Sequence, residues 1–104
     1  MTLDEIRLML ANIDPEIKHY FTMGNGEAYT WWEEVRLLPL MADDVHIEEG
    51  WAFYVHRFAL DENDTVAAAI FTALDGLPYV AVSHEVSYEQ DSGYIHHIFS
   101  CEVI

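Results

Sequence analysis

An α+β domain is the fold class that this sequence predicts, with two helices packed on a mainly antiparallel sheet in the order α-β-β-β-α-β-β. Three observations carry the prediction. Two segments repeat apolar residues at helical spacing, five more read as strands, and clusters of Gly, Asn, Asp and Pro punctuate them. Helices and strands mixed in this order each have one apolar face to bury, and packing helices on a sheet buries both.

The first helix starts at Thr2, which with Glu5 has the spacing of a capping box. Leu3, Ile6, Leu10 and Ile13 then recur at helical spacing until Asp14-Pro15 ends the pattern. From Glu16 to Met23, Ile17, His19 and Phe21 alternate with Lys18 and Tyr20, which predicts a first strand, and Gly24-Asn25-Gly26 supplies the turn after it. Ala28 to Leu38 holds Tyr29, Thr30, Trp31, Trp32 and Val35, aromatic and β-branched residues that favour a second strand. Pro39 to Gly50 has no steady period and is expected to form a long loop. In the third strand Trp51, Phe53 and Val55 alternate with Ala52, Tyr54 and His56; both sets are largely apolar, as expected of a strand covered on both faces or lying inside an assembly.

Asn63 or Asp64 then serves as N-cap for a second helix whose apolar stripe is Val66, Ala67, Ile70, Phe71 and Leu74, and Gly76 with Pro78 ends it. A hairpin follows, Tyr79 to Tyr88 and Tyr94 to Ile104, turning through Gln90-Asp91-Ser92-Gly93. Val80, Val82, Val86 and Tyr88 share one face of its first strand, and Ile95, Phe99, Cys101 and Val103 one face of its second.

At 104 residues the chain suits a single domain spanning 1–104, with no repeat or linker to divide it. Hydrophobic residues make up 52%, too many for a disordered acidic segment, so the net charge of −15 belongs to a folded surface. The imbalance is sharpest between Trp51 and Ile104. Arg57 is the only base there, and Asp61, Glu62, Asp64, Asp75, Glu85, Glu89, Asp91 and Glu102 follow it. Such a unit is a poor nucleic-acid binder, because phosphates repel it. Cys101 is the only cysteine, which excludes an internal disulfide and fits a reducing cytoplasm. Acidic Asp4 and Glu5 stand where a secretory signal would be basic, and no apolar run approaches membrane-spanning length, so a soluble, unexported product is expected.

Residues able to do chemistry are present without the spacing that chemistry needs. Among six histidines, His96 and His97 are neighbours on a strand and point to opposite faces; His84 and His96 are placed to meet across the hairpin, and His46 lies near Glu48 and Glu49. None of this forms a ligand motif, so no metal and no cofactor are expected. Ser83, Ser87, Ser92 and Ser100 lack a nucleophile elbow, and Cys101 sits on an apolar strand face. Paired acids such as Asp43-Asp44 and Glu48-Glu49 read as solvated loop before they read as acid and base. The chain is therefore expected not to be an enzyme. Trp31 and Trp32, as strand neighbours, cannot both enter one core, so Trp31, Trp32 and Trp51 are candidates for an oligomer or partner interface, beside the plain reading of core packing.

From Tyr29 onward the sequence resembles the small tail terminator, or tail completion, proteins of long non-contractile-tailed bacteriophages and prophages. The resemblance rests on LMADD (Leu40 to Asp44), on FYVHRFAL running into DENDTVAAAIFTALD (Phe53 to Asp75), and on YEQDSGYIHHIFSCEVI (Tyr88 to Ile104). It implies a small α+β fold and a ring, commonly hexameric, that caps the tail tube. The implied partners are copies of the chain itself, the major tail tube protein and a neck or head completion protein; the implied location is the tail-neck junction of a virion assembled in the bacterial cytoplasm. DNA would pass through without specific binding, and no membrane is involved.

That resemblance gives the acidity a role. Six copies at −15 carry a formal −90, which requires carboxylates to face water, counterions or basic partners, and an acid-lined lumen would let DNA slide past. Asp43, Asp44, Glu48 and Glu49 in one loop, and Asp61, Glu62 and Asp64 in another, are the candidates for lumen or docking surfaces, or else plain solvated turns. Like charge also opposes association, so the chain can be monomeric in isolation and assemble on a tube end, with association that rises with salt. Two other classes compete: an acidic inhibitor or nucleic-acid mimic that fills a basic groove, and a metal-dependent enzyme using His46, His84 or His96. Within the phage reading, a different neck or head completion protein is the alternative.

Overall fold

The computed structural model describes residues 2–36 and 51–103. Its elements run α1 (Leu3–Ile13), β1 (Lys18–His19), β2 (Ala28–Arg36), β3 (Trp51–Ala59), α2 (Thr65–Asp75), β4 (Val80–Tyr88) and β5 (Ile95–Val103). This is the α+β class in the order that the sequence predicts. The strands form one sheet in the order β1-β2-β3-β5-β4, antiparallel throughout except that β1 lies parallel to β2.

Capping fixes both helices. The Thr2 hydroxyl accepts from the Glu5 N–H at 3.2 Å, and the Asp14 N–H closes the far end of α1 on the Leu10 carbonyl. Of the two N-cap candidates for α2 the structure uses Asp64, whose carboxylate accepts from the Ala67 N–H at 3.0 Å. Ile6 and Leu10 of α1, with Ala67, Ile70 and Leu74 of α2, are buried against Trp32, Phe53, Val55, Phe99, Cys101 and Val103. All the buried helix residues therefore meet one face of the sheet. Each of the large side chains in this layer stabilises the fold by about 1.5–3 kcal/mol through apolar area removed from water.

The first strand is far shorter than Glu16–Met23. The Asp14 carboxylate accepts from the Glu16 N–H in a local turn, and Tyr20 adopts φ 73, a left-handed conformation that breaks the pleat two residues after the strand begins. Only Lys18 and His19 pair, opposite Trp31 and Trp32. Of the two expectations for the third strand, coverage on both faces is not met among the described residues: helices pack on the face that carries Phe53 and Val55, and no described helix packs on the face that carries Ala52, Tyr54, His56 and Phe58. The hairpin keeps the shared faces that the sequence predicts; its register sets Val80 opposite Val103 and Tyr88 opposite Ile95, and Gly93 at φ +81 makes its turn. No helix among the described residues is long and apolar enough to cross a membrane.

Candidate interaction surfaces

Arg57 lies on the helix-covered face of β3 and is 7% exposed. Its Nε and Nη2 donate to the two carboxylate oxygens of Asp64 at 2.8 and 3.0 Å, and Nη1 donates to the Thr30 hydroxyl at 3.0 Å and to Asp14 at 3.5 Å. A single guanidinium thus joins the C-terminal end of α1, strand β2 and the N-cap of α2. Burial alone would raise the Asp64 pKa; against it, the Arg57 pairing and the Ala67 and Val66 N–H groups hold the carboxyl below its ordinary range. This corrects the expectation that Asp64 belongs to a lumen or docking surface, since both of its oxygens are committed inside the fold. Asp61 and Glu62 are exposed, with Asp61 accepting from the Asn63 N–H at 2.9 Å in a tight turn. Asp43, Asp44, Glu48 and Glu49, and His46 with them, lie outside the described residues.

Register separates the tryptophans as strand geometry requires. Trp32 is in the core at 1% exposure, and the His19 ring stacks on it at 4.1 Å. Trp31 turns to the helix-free face, where its ring stacks on His56 with centroids 3.9 Å apart and meets Phe21 edge-on. Of Trp51 only the backbone is described, paired with Arg36 and Val103. The helix-free face continues as a run of stacked rings: His56 on His96, His96 on Phe58 at 4.0 Å, and Phe58 on Tyr29 at 4.6 Å. Trp31 is 8% exposed in the single chain, so its neighbours shield it before any partner does. Its indole N–H is buried without a hydrogen-bond partner among the described residues.

The histidines pair, though differently from expectation. His84 meets His97, not His96: residue 84 lies opposite Phe99, which puts the even-numbered residues of β4 on the same face as the odd-numbered residues of β5. The His84 Nε2 and His97 Nδ1 are 3.0 Å apart on the helix side, beside Phe71. His96 points the other way, its Nε2 2.9 Å from the His56 Nδ1. Each contact takes one proton between two nitrogens, so both rings of a pair are stable neutral and repel when both are charged. Burial lowers the pKa of all four, most for His56, which falls to about 4 through burial and then through the His96 charge. Among the described residues no group of three or more His, Cys, Asp or Glu is gathered to hold a metal ion. Cys101 is 1% exposed, and burial pushes its thiol up to about 12, far from the thiolate that nucleophilic chemistry needs.

Two features escaped the sequence reading. The Arg57 network was signalled only by the isolation of that arginine ahead of an N-cap aspartate, and the imidazole pairs needed the register. The chain matches no known family profile and no curated protein sequence.

Proposed function

We propose that the protein is a structural, non-catalytic virion subunit: the tail terminator of a long non-contractile-tailed phage or prophage, forming a ring that caps the tail tube at its junction with the neck. Two things support the reading, the three sequence segments that resemble that family and the α-β-β-β-α-β-β order, which suits it. The observation that carries it is the withdrawal of Arg57 into the fold. With that side chain 7% exposed, the described residues from 51 onward offer carboxylates to their surroundings and essentially no guanidinium or ammonium. A surface of that kind repels a phosphate backbone passing nearby and attracts basic protein.

In this reading the partners are further copies of the chain, the major tail tube protein and a neck or head completion protein, with assembly in the bacterial cytoplasm. Asp61 and Glu62 serve as exposed acids of a lumen or docking loop, and Trp31 is the interface candidate on the helix-free face. The test is electron microscopy of negatively stained tail tubes mixed with the purified protein. Density confined to one tube end and an arrest of tube elongation are expected. Tubes that elongate unchanged with bare ends would remove the proposal. The same acidity favours a second reading, a nucleic-acid mimic, which requires instead a tight complex with a basic enzyme that weakens as salt rises.

A further inference from the structure

The sheet ends, among the described residues, at β4, and that edge lacks the usual defences. Natural edge strands are kept from pairing with other chains by shortness, Lys, Pro or bulges. The opposite edge, β1, is two residues long. β4 is nine residues long, contains no Pro or Lys, pairs with β5 in unbroken register, and carries one charge, Glu85. In a chain of net charge −15 this is a strip of low charge density.

The strand VAVSHEVSY is also symmetric in polarity about its middle residue, His84. Turned antiparallel against itself with His84 at the two-fold axis, it sets Val80 opposite Tyr88, Val82 opposite Val86, Ala81 opposite Ser87 and Ser83 opposite Glu85. The valines and the tyrosine of each copy then meet their apolar counterparts on the helix side around a central His84–His84 contact, small or polar residues face each other on the other side, and no acid lies directly opposite an acid. The match would cover two side chains left bare in the single chain, Val86 at 56% and Tyr88 at 64% exposure. On the helix side, the cleft beside His84 is lined from α2 by Ala67, Ala68, Phe71 and Thr72, with the acids Glu62 and Asp64 also in its lining.

We propose that the β4 edge is a self-association surface whose occupant is β4 of a second copy, paired antiparallel about His84 into one continuous sheet. A strand-to-strand ring running from β4 to β1 would have only two described residues of β1 to pair with, and a strongly charged strand from another protein would meet only Glu85 as a charged contact. The proposal concerns the free protein and does not depend on the tail reading.

Charge pairs test both the surface and its register. Ser83 is exposed, so its replacement leaves the core intact. In sedimentation velocity across a range of protein concentrations, at moderate and high salt, the wild-type chain should show a monomer–dimer equilibrium. Ser83→Lys places one lysine opposite Glu85 of the other copy, twice per dimer, and should tighten the dimer roughly two- to thirty-fold; Ser83→Glu should weaken it by a similar factor. Combining Ser83→Glu with Glu85→Lys should restore it. Unchanged thermal melts at low concentration separate these shifts from misfolding, and Ser83→Lys alone decides the matter where Ser83→Glu does not fold. A wild-type chain that stays monomeric throughout, a dimer that responds the same way to both charges, or an association that is not dimeric would overturn the proposal.

Discussion

At the scale of single residues, Arg57 and Asp64 anchor a buried network that joins one end of each helix to the sheet. A guanidinium buried among Asp64, Asp14 and Thr30 is tolerable only while its partners remain. Asp64→Ala removes the bidentate partner and the α2 N-cap together, so a loss of about 3–5 kcal/mol is expected in urea unfolding, a large fraction of the roughly 5–15 kcal/mol of an ordinary domain. A loss below about 1 kcal/mol would show that the network is not what joins the two helices to the sheet. His56 gives a pH dependence of fixed sign. Its folded pKa, about 4, lies below the unfolded 6.5, so between these values the unfolded chain binds the proton first and acid favours unfolding. The contribution is fully present above about pH 6.5 and is lost as pH falls toward 4. His56→Phe keeps a ring against Trp31 and should flatten this part of the stability profile. An unchanged slope between pH 4 and 6.5 would assign the dependence elsewhere.

At the scale of elements, the sequence was most legible where one periodicity governed a whole segment. Both helices, their caps and the faces of the β4–β5 hairpin follow from apolar spacing and turn residues. The first strand did not, because alternation at Ile17, His19 and Phe21 says nothing about φ at Tyr20, and one left-handed residue ended the strand. Pairing of His84 with His97 was hidden for a similar reason, since it depends on which residue of β5 lies opposite residue 84, a matter of register set by the whole hairpin. The turn at residues 24–26 was legible as a turn but not as a packing surface. A Cβ on Gly24 would lie 2.2 Å from the Tyr29 ring, which is itself stacked on Phe58 and edge-on to Tyr94. The Tyr94 hydroxyl in turn donates to the Gly26 carbonyl at 2.8 Å, tying the hairpin to this loop. Gly24→Ala should therefore cost about 1–3 kcal/mol and alter the near-ultraviolet circular dichroism of the aromatic cluster. A variant with wild-type stability and spectrum would mean that the ring moves aside freely.

At the scale of the whole molecule, charge decides how the chain meets others. Each copy carries −15, and the withdrawal of Arg57 leaves the described second half without an exposed counter-charge. Copies brought side by side repel, and salt relieves that repulsion over distances beyond about 8 Å at physiological ionic strength, and over shorter ones as salt rises. Assembly on tube ends should accordingly strengthen with salt, measured as the fraction of capped tubes or as co-sedimentation with tube protein. A nucleic-acid mimic gripping a basic groove has the opposite sign, because its affinity comes from the attraction that salt screens. The salt slope therefore separates the two readings before any partner surface is mapped. A chain that stays monomeric and tube-free at every salt concentration would remove the terminator reading, and binding to a basic protein that falls steeply with salt would replace it with the mimic.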